Sequence, residues 1–391
     1  MADNKNHHFV PQFYLRFFSL NKKGINLLNL KRGKVVLGAP LRHQCSRDYF
    51  YGNDVRYEKA LGEVEAASSD ALRKLIESKR VFLRGSPDFI SILIYVSLQY
   101  YRTGSKVDYL NQMVDGLAKN FLKYQIPKED LSTITIGMDG ISNFSVQNAF
   151  KNFAMLIDME WLLVEAEQGC EFITSDTPVL FLNTFLPENL ASGNTGIVSS
   201  GLIVLFPLTP ELTLVLFDGN VYRTHGIPDN HALAHVIPRS DVDQLNDCQC
   251  ASADENIYFR SDQLDVGEIL CRSKKLRPSQ KAIQTTFVKE DSADRRRELI
   301  VTRQAAPQLE PKISFLKERK GALRWRDDFL KQKSRQAVVL RNPWLHDVLK
   351  EYQKLEDAGI QVPAILEFIH MKDEQRRRQH NFHANMPPFG R

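Results

Sequence analysis

Two adjacent histidines near the start of the chain are the residues best suited to chemistry. His7 and His8 begin an aromatic and apolar run that reaches Phe18. An imidazole can take up a proton or bind a metal ion near neutral pH. Because neighbouring side chains of an extended segment point to opposite faces, at most one of the pair faces a given pocket. The alternative is a histidine that bonds to the backbone and anchors the terminus.

A carboxylate in the middle of the chain is the second candidate. Asp176 lies in the stretch Ile173–Pro178, where a predicted strand ends in a turn. Side chains at a strand end are held rigidly and reach solvent, which suits a metal-binding or proton-accepting carboxylate. The alternative is an Asx-type turn, in which Asp176 accepts hydrogen bonds from backbone amides ahead of the proline.

Gln99 and Arg102 are one turn apart at the end of a predicted helix, and therefore share a face. The guanidinium fork of Arg102 matches a phosphate or a carboxylate, and the Gln99 amide offers both a donor and an acceptor. Arg102 could instead pair with an acid such as Asp176. Further candidates for binding a substrate are Gln12, Tyr14, Arg16 and Asn246.

These residue types favour a hydrolase that acts on a phosphodiester, with nucleic acid as the substrate class. His7 or His8 would act as base or metal ligand, Asp176 as the metal-binding carboxylate and Arg102 as the phosphate clamp. The cofactor for such chemistry would be a divalent ion such as Mg²⁺ or Mn²⁺. The sequence also fits a non-catalytic nucleic-acid or ligand-binding module, or a toxin- or defence-type effector, so whether the protein is an enzyme stays open.

The remaining potential metal ligands and nucleophiles are poorly spaced. The five cysteines lack the Cys-x-x-Cys spacing of zinc ribbons and redox pairs, which favours reduced structural thiols in a reducing compartment. His231 and His235 are four residues apart without a third ligand at helical spacing, and His225 is also interpreted as structural. Phosphate-binding glycine motifs and a Gly-x-Ser-x-Gly elbow are missing from the sequence.

Helices are predicted to position the first set of these groups. Ser86, Pro87 and Asp88 form a typical helix start: a cap, a proline in the first turn and an acid beside it. The helix that follows is apolar nearly all round and should cross the core. The helical periodicity covers residues 55–78, 89–101, 107–124, 146–158 and 240–251.

Short β-type runs dominate the chain after Trp161. A hairpin is predicted earlier, over residues 25–37, with Gly33 supplying a positive φ at its turn. The later strands are predicted at residues 161–166, 172–174, 202–206, 212–217 and 257–259. Because helices come first and strands follow without alternation, we expect an α+β fold with a helical N-terminal half packed on a mainly antiparallel sheet.

The C-terminal part of the chain is basic. Residues 272–391 contain 27 Lys and Arg against 15 Asp and Glu, whereas residues 1–271 contain 25 against 32. This asymmetry predicts an α+β core domain over residues 1–271, which carries the site, and a basic helical extension that binds nucleic acid. Solvated helical faces would explain the charge equally well. The extension would comprise a linker over 273–308, helices over 316–339, 344–357 and 362–378, and a disordered tail from 381.

Composition places the protein in an ordinary class. Hydrophobic residues make up 43% of the chain and charged residues 25%, as in typical globular proteins. No apolar run reaches the roughly 18 residues of a membrane span, and the first residues lack the apolar core of a signal peptide. We therefore expect a cytoplasmic protein without a membrane partner. The oligomeric state stays open.

The run from His7 to Arg16 also carries a family resemblance. Its order of His-His-Phe-Val-Pro-Gln-Phe-Tyr-Leu-Arg resembles the opening signature of a bacterial family of unknown function, the one numbered 4238. The later stretches that agree are Gln99–Thr103, Trp161–Leu163, Phe172–Val179, Asn246 and Ile257–Phe259.

The resemblance spans roughly residues 6 to 259 and implies a shared fold and site, without an established activity. On the helix before the tryptophan the family often has a histidine, whereas this chain has Gln147 or Asn148. No role is carried over to that position.

Overall fold

The chain folds into an α+β architecture, as the sequence predicts, with helices concentrated after residue 55 and most strands after residue 160. The structure is a computed structural model. It describes residues 5–52, 55–186, 194–227, 232–261, 264–277, 283–292, 295–304, 309, 311–331 and 339–384. Of these, residues 55–56, 128, 283–292, 295–304 and 378–384 are described by their backbone alone.

Helices and strands cover most of this part of the chain. The α-helices are α1 (Gln12–Leu15), α2 (Val55–Ser78), α3 (Pro87–Tyr101), α4 (Gly104–Leu122), α5 (Lys128–Thr133), α6 (Ile141–Asn152), α7 (Arg239–Ser252), α8 (Val266–Leu276), α9 (Lys320–Lys331), α10 (Pro343–Asp357) and α11 (Ile365–Ala384). The β-strands are β1 (Asn6–His8), β2 (Gly24–Asn29), β3 (Lys34–Pro40), β4 (Ser46–Asp48), β5 (Glu160–Ala166), β6 (Thr174–Ser175), β7 (Leu180–Leu182), β8 (Ile203–Thr209), β9 (Leu212–Phe217), β10 (Tyr222–Thr224), β11 (His235–Ile237), β12 (Asn256–Phe259), β13 (Ile283–Ser292), β14 (Arg295–Gln304) and β15 (Leu316–Glu318).

The predicted hairpin and buried helix are confirmed. Strands β2 and β3 pair antiparallel, and Gly33 has a φ of 59° at their turn. The Ser86 hydroxyl accepts a hydrogen bond from the Phe89 N–H at the start of α3. Helix α3 then runs through the core against α2 and α6. It delivers Gln99 and Arg102 to the interior at its C-terminal end.

A five-stranded sheet in the order β11-β5-β9-β8-β7 forms the centre of the fold. All its pairs are antiparallel except the parallel pair of β11 with β5. Both faces are buried: Trp161 and Leu163 of β5 join the core on the side of α3, whereas Leu162 and Val164 join a second core on the other side. This explains why the strands read as continuous apolar runs rather than as alternating ones.

A second sheet joins the N-terminal hairpin to the middle of the chain. Its order is β3-β2-β12-β6, and every pair is antiparallel. The N-terminal strand β1 pairs separately with β4, and the Phe9 N–H donates to the Cys45 carbonyl just beyond that ladder at 2.9 Å. The histidine segment is thus held by backbone hydrogen bonds on one side and by α3 on the other.

The C-terminal part differs from the prediction in three places. Strands β13 and β14 form an antiparallel hairpin where a linker was expected, because each contains a run of β-branched and apolar residues despite its many charges. The helix expected over 316–339 is replaced by β15, which pairs with β10, and by the shorter helix α9. Helix α11 continues past residue 381, where the disordered tail was expected, to Ala384.

Several contacts cross the predicted domain boundary at residue 271. Phe315 and Leu316 are buried with residues of the central sheet. Arg341 is also buried and forms an ion pair with Asp158 at 2.9 Å. Leu345 of α10 packs on Ala154. The division into a core and an extension stays a prediction, and these contacts attach Phe315, Leu316, Arg341 and Leu345 to the residues before the boundary.

Among the described residues, no helix has both the length and the apolar character needed to cross a membrane.

Candidate functional site

His8 has the geometry of a neutral imidazole with a fixed tautomer. Its Nδ1 lies 3.0 Å from the Gln44 carbonyl oxygen, which can only accept, so Nδ1 carries the proton. Its Nε2 lies 2.9 Å from the Gln12 amide nitrogen, which donates to the free lone pair. Burial lowers the pKa of His8 from its ordinary value of 6.5. A half-buried imidazole of this kind is a proton acceptor at neutral pH.

His7 has the opposite tautomer and a different role. Its Nδ1 accepts a hydrogen bond from the Tyr51 N–H at 3.1 Å, so the proton of the neutral ring is on Nε2. That nitrogen lies 4.0 Å from a carboxylate oxygen of Glu58, and the ring stacks on Tyr51. His7 is buried and holds the terminus against the chain around Tyr51. The two histidines thus point to different surroundings, as their positions in a strand predict.

Arg102 is completely buried and pairs with Glu65 of α2. The guanidinium donates to the Glu65 carboxylate at 2.7 Å and to the Gln99 side-chain oxygen at 3.2 Å. The Gln99 amide in turn donates to the Phe9 carbonyl at 3.0 Å. Gln99 and Arg102 therefore share a face, as predicted, and they hold the backbone next to His8. The acid that pairs with Arg102 is Glu65 and not Asp176, the partner suggested from the sequence.

The charges around His8 act on each other. Burial alone would lower the pKa of Arg102, but the Glu65 carboxylate, with Tyr51 and Tyr95, holds that pKa above its usual value. The Glu65 charge also opposes the effect of burial on the pKa of His8, whereas the Arg102 charge adds to it. Because Glu65 keeps 27% of its side chain exposed, it is the carboxylate that reaches solvent near this histidine.

A second hydrogen-bond network continues from Gln44 into the sheet. The Tyr258 hydroxyl lies 3.4 Å from the Gln44 side-chain oxygen and 3.2 Å from the Cys45 sulfur. Burial raises the pKa of both Tyr258 and Cys45 well above their ordinary values, so both groups are neutral. The Gln44 backbone thus orients His8, and the Gln44 side chain ties this loop to β12.

Asp176 accepts three backbone hydrogen bonds. The N–H groups of Asp254, Glu255 and Asn256 donate to its two oxygens at 2.7, 2.6 and 3.0 Å. Burial and the nearby Asp254 charge raise the pKa of Asp176 to about 6, although the three donors favour its ionised form. Asp176 thus bonds to backbone amides, but these belong to the distant residues 254–256 and not to the local Asx-type turn that was the expected alternative.

Of the secondary candidates, Asn246 and Tyr14 bond to backbone groups, and Arg16 is exposed. The side chain of Asn246 clamps one stretch of backbone, accepting from the Ile173 N–H and donating to the Glu171 carbonyl, each at 2.9 Å. The hydroxyl of Tyr14 is buried and donates to the Pro207 carbonyl at 2.7 Å. Arg16 is exposed at the end of the first helical turn.

The predicted site is therefore divided among separate clusters. One contains His8 and Gln12, with Gln99 and Arg102 holding the backbone beside them. Asp176, just after β6, and Asn246, in the middle of α7, belong to two other clusters, where both side chains bond to backbone groups. Within the described residues, no hydrogen bond or ion pair joins Asp176 to either histidine or to Arg102.

Metal ligation finds no support in the described part of the chain. No group of three His, Cys, Asp or Glu side chains there is placed to hold a metal ion. The cysteines in that part are free thiols, and Cys45, Cys248 and Cys250 are buried, as expected for structural residues. His231 lies outside the described residues. The residues present around His8 thus do not fit the predicted divalent ion.

Sequence reasoning missed Glu65 and Gln44. Glu65 stands among other acids on an amphipathic helix and looks like an ordinary surface residue, so nothing in the sequence marks it. Gln44 orients His8 through its backbone carbonyl oxygen, a group that every residue has, so the residue type does not reveal this role. Only the tertiary packing of α2, α3 and the loop before β4 brings these groups to His8.

Comparison with known proteins identifies one match. A family model described as "Protein of unknown function (DUF4238)" matches residues 6–263. No curated protein and no solved structure matches this chain.

Proposed function

The chain belongs to the DUF4238 family, and from that premise we propose that it is a cytoplasmic hydrolase of phosphodiesters that acts on nucleic acid, with His8 as the general base. The observation that carries the proposal is the fixed tautomer of the half-buried His8, which keeps Nε2 unprotonated, with the Gln12 amide as its hydrogen-bond donor. The basic C-terminal region, residues 272–391, supports nucleic acid as the substrate class.

In the proposed reaction, His8 Nε2 takes a proton from water as the water oxygen attacks phosphorus. The imidazolium that forms is stabilised by the Glu65 carboxylate, which Arg102 holds in place. As the bond from phosphorus to the leaving oxygen breaks, that oxygen, which lies opposite the attacking water, takes a proton from solvent, and the imidazolium then releases its proton to solvent. Gln12, which donates to Nε2 at rest, turns away when the attacking water takes its place on Nε2, and its amide then donates to a phosphoryl oxygen. No step runs through a metal ion, because the residues around His8 do not fit one.

A non-catalytic binding module, including a toxin- or defence-type effector, is the second candidate. The observation that favours it is that Arg102 is fully buried and committed to Glu65 and Gln99, so the predicted phosphate clamp serves the interior. The cluster would then hold the histidine segment rigid for ligand recognition. The two candidates differ in whether a bound phosphodiester is cleaved.

The experiment is incubation of the purified protein with fluorescently labelled single-stranded RNA and duplex DNA. It is carried out with EDTA, with Mg²⁺ and with Mn²⁺. The test variant is His8→Asn, whose amide can still donate to the Gln44 carbonyl but lacks a basic nitrogen. The matched control is His370→Asn, since His370 is an exposed histidine on α11, 76% of whose side chain is accessible.

We expect cleavage by the wild type and by the control, and at least a hundredfold slower cleavage by His8→Asn. Equal cleavage by all three proteins would eliminate His8 as the base. If the wild type binds both nucleic acids and cleaves neither, the binding module is the correct function. Cleavage only with Mg²⁺ or Mn²⁺ would restore the metal-assisted form of the hypothesis.

A further inference from the structure

The N-terminal segment has an unusual charge composition. Between Asp3 and Asp48 the chain contains no acidic residue, although its overall content of 47 Asp and Glu in 391 residues would place about five there. The same segment contains nine cations, namely Lys5, Arg16, Lys22, Lys23, Lys31, Arg32, Lys34, Arg42 and Arg47. It also contains His8. The segment that carries the proposed base is therefore strongly positive, although the Glu65 carboxylate of α2 also lies near His8.

Most of these charges are exposed and unneutralised. Lys31 pairs with Glu255, and Arg47 pairs with Asp108. In the part of the chain that the structure describes, the other seven have no acidic side chain within ion-pair distance, and all seven are exposed. Surface cations without acidic partners keep their full attraction for an external anion.

Four of them lie around one end of the β2–β3 hairpin, the end nearest to His8. The Leu41 N–H donates to the Lys23 carbonyl at 3.2 Å, which brings Lys22 and Lys23 beside Arg42. The Asn6 side chain donates to the Arg42 carbonyl at 2.8 Å, two residues before His8.

Arg16 is connected to the same end of the β2–β3 hairpin through Ser19. Its carbonyl accepts from the Ser19 N–H, and the Ser19 hydroxyl donates to the Gly24 carbonyl at the start of β2. The loop after Arg42 then supplies the Gln44 carbonyl that orients His8. The cations therefore belong to the same loops that build the site.

We propose that Arg16, Lys22, Lys23 and Arg42, the N-terminal basic surface, bind the sugar–phosphate backbone of a nucleic acid and bring a phosphodiester to His8. The inference deepens the proposed function and rests on it for the role of His8. Binding itself needs only the charges. It assigns the backbone contacts to the acid-free N-terminal segment, in addition to the basic C-terminal region. The recognition should tolerate any sequence, because phosphate contacts carry no base information.

An anionic membrane surface is the competing partner for such a patch. It would use exposed apolar side chains together with the cations, and those exposed on this segment are Leu20, Val35, Val36 and Leu37. The groups next to Arg42 are polar instead: Asn6, His43 and Gln44. A polar surface continuous with an imidazole base fits a hydrated phosphodiester better than it fits acyl chains.

The experiment measures binding of a labelled 20-nucleotide single-stranded DNA by fluorescence anisotropy between 50 and 300 mM salt. All proteins carry His8→Asn, so that binding is read without cleavage and a failure of the hydrolase proposal does not affect the result. The test variant adds Arg16→Gln, Lys22→Gln, Lys23→Gln and Arg42→Gln. The matched control adds Lys274→Gln, Lys275→Gln, Lys317→Gln and Arg324→Gln, which remove the same charge from exposed positions in the C-terminal region.

Four lost phosphate contacts should lower the slope of log affinity against log salt by about 3, at about 0.7 per contact for single strands. We expect this loss, with at least a tenfold weaker affinity at the lowest salt, in the test variant and a smaller change in the control. An unchanged slope in the test variant would overturn the proposal. So would weak binding of the unsubstituted surface to DNA but tight, charge-dependent binding to vesicles of phosphatidylserine. Circular dichroism of each variant verifies that the fold is retained.

Discussion

At the scale of single residues, the two adjacent histidines have different tautomers and different roles because their rings have different hydrogen-bond partners. The Gln44 carbonyl forces the proton of His8 onto Nδ1, and the Tyr51 N–H forces that of His7 onto Nε2. The half-buried His8 ring thereby has an unprotonated Nε2 that accepts from Gln12, whereas the His7 ring is buried and anchors the terminus. Each tautomer is set by a backbone group, which almost every residue type has. The sequence therefore could not predict the two tautomers.

The pKa of His8 gives the first prediction at this scale. Burial favours the neutral ring, so His8 protonates below its ordinary pKa of 6.5. Between 6.5 and that lower pKa the unfolded chain binds more protons than the folded one. The contribution of His8 to stability is therefore complete above about pH 6.5 and is lost as pH falls through the folded pKa. If His8 is the base, cleavage should decline over the same lower range.

The substitution Glu65→Gln should lower the pKa of His8 further. Glu65 is an acid that raises this pKa, and its loss leaves the Arg102 charge, which lowers it, without compensation. An NMR titration of the His8 ring protons measures the shift. The matched control is Glu63→Gln, an exposed acid two residues away on the same helix. A His8 pKa that rises or stays unchanged in Glu65→Gln would contradict the described arrangement.

At the scale of elements, Asp176 joins the end of β6 to the start of β12. Its carboxylate binds the amides of 254–256, so it fixes the approach of two neighbouring strands. Substitution to Ala should leave three partly buried N–H groups without an acceptor. We expect a loss of about 3 kcal/mol in the free energy of unfolding, measured by urea denaturation.

The control for this prediction is Asp70→Ala, an exposed acid on α2 whose removal should cost less than about 1 kcal/mol. A catalytic role for Asp176 predicts the reverse pattern. In that case the variant would be nearly as stable as the wild type and would lose its activity. Measuring cleavage at a temperature where the variant remains folded separates the two roles.

The sequence predicted elements better than it predicted contacts. The span of α2, the cap of α3 and the β2–β3 hairpin follow from local signals, namely apolar periodicity, a serine before a proline and a glycine at a turn. The partner of Arg102 could not be found this way, because several acids lie at plausible distances along the chain and tertiary packing chooses among them. Strands β13 and β14 were not predicted, because their many charged residues were interpreted as a linker although each strand also contains β-branched residues.

At the scale of the whole molecule, contacts join the predicted core domain, residues 1–271, to the predicted extension, residues 272–391. Strand β15 extends β10, and Phe315 completes the core behind the central sheet. Arg341 inserts a buried guanidinium that donates to Asp158 and to the carbonyls of Met155 and Ile197. Basic residues of the C-terminal region are therefore not all available to a nucleic acid. This is why charge substitutions test nucleic-acid binding more cleanly than deletion of the region does.

The last prediction concerns the boundary at residue 271. A fragment of residues 1–271 would expose the sheet surface that Phe315 and Leu316 cover, and it would leave Asp158 without its buried partner. We expect this fragment to unfold at a lower urea concentration than the full chain, or to aggregate. In the full chain, Arg341→Ala should already cost about 3 to 5 kcal/mol, because it leaves a partly buried carboxylate unpaired.

The control is Lys331→Ala, which breaks the exposed pair with Asp328 and should cost roughly 0 to 1 kcal/mol. The comparison distinguishes an appendage from an integral part of the fold. An appendage would leave the fragment as stable as the full chain and would make Arg341→Ala no worse than the control. Since the ladder of β15 with β10, the Phe315 core and the Arg341 ion pair all cross residue 271, an integral part predicts that the fragment is less stable than the full chain.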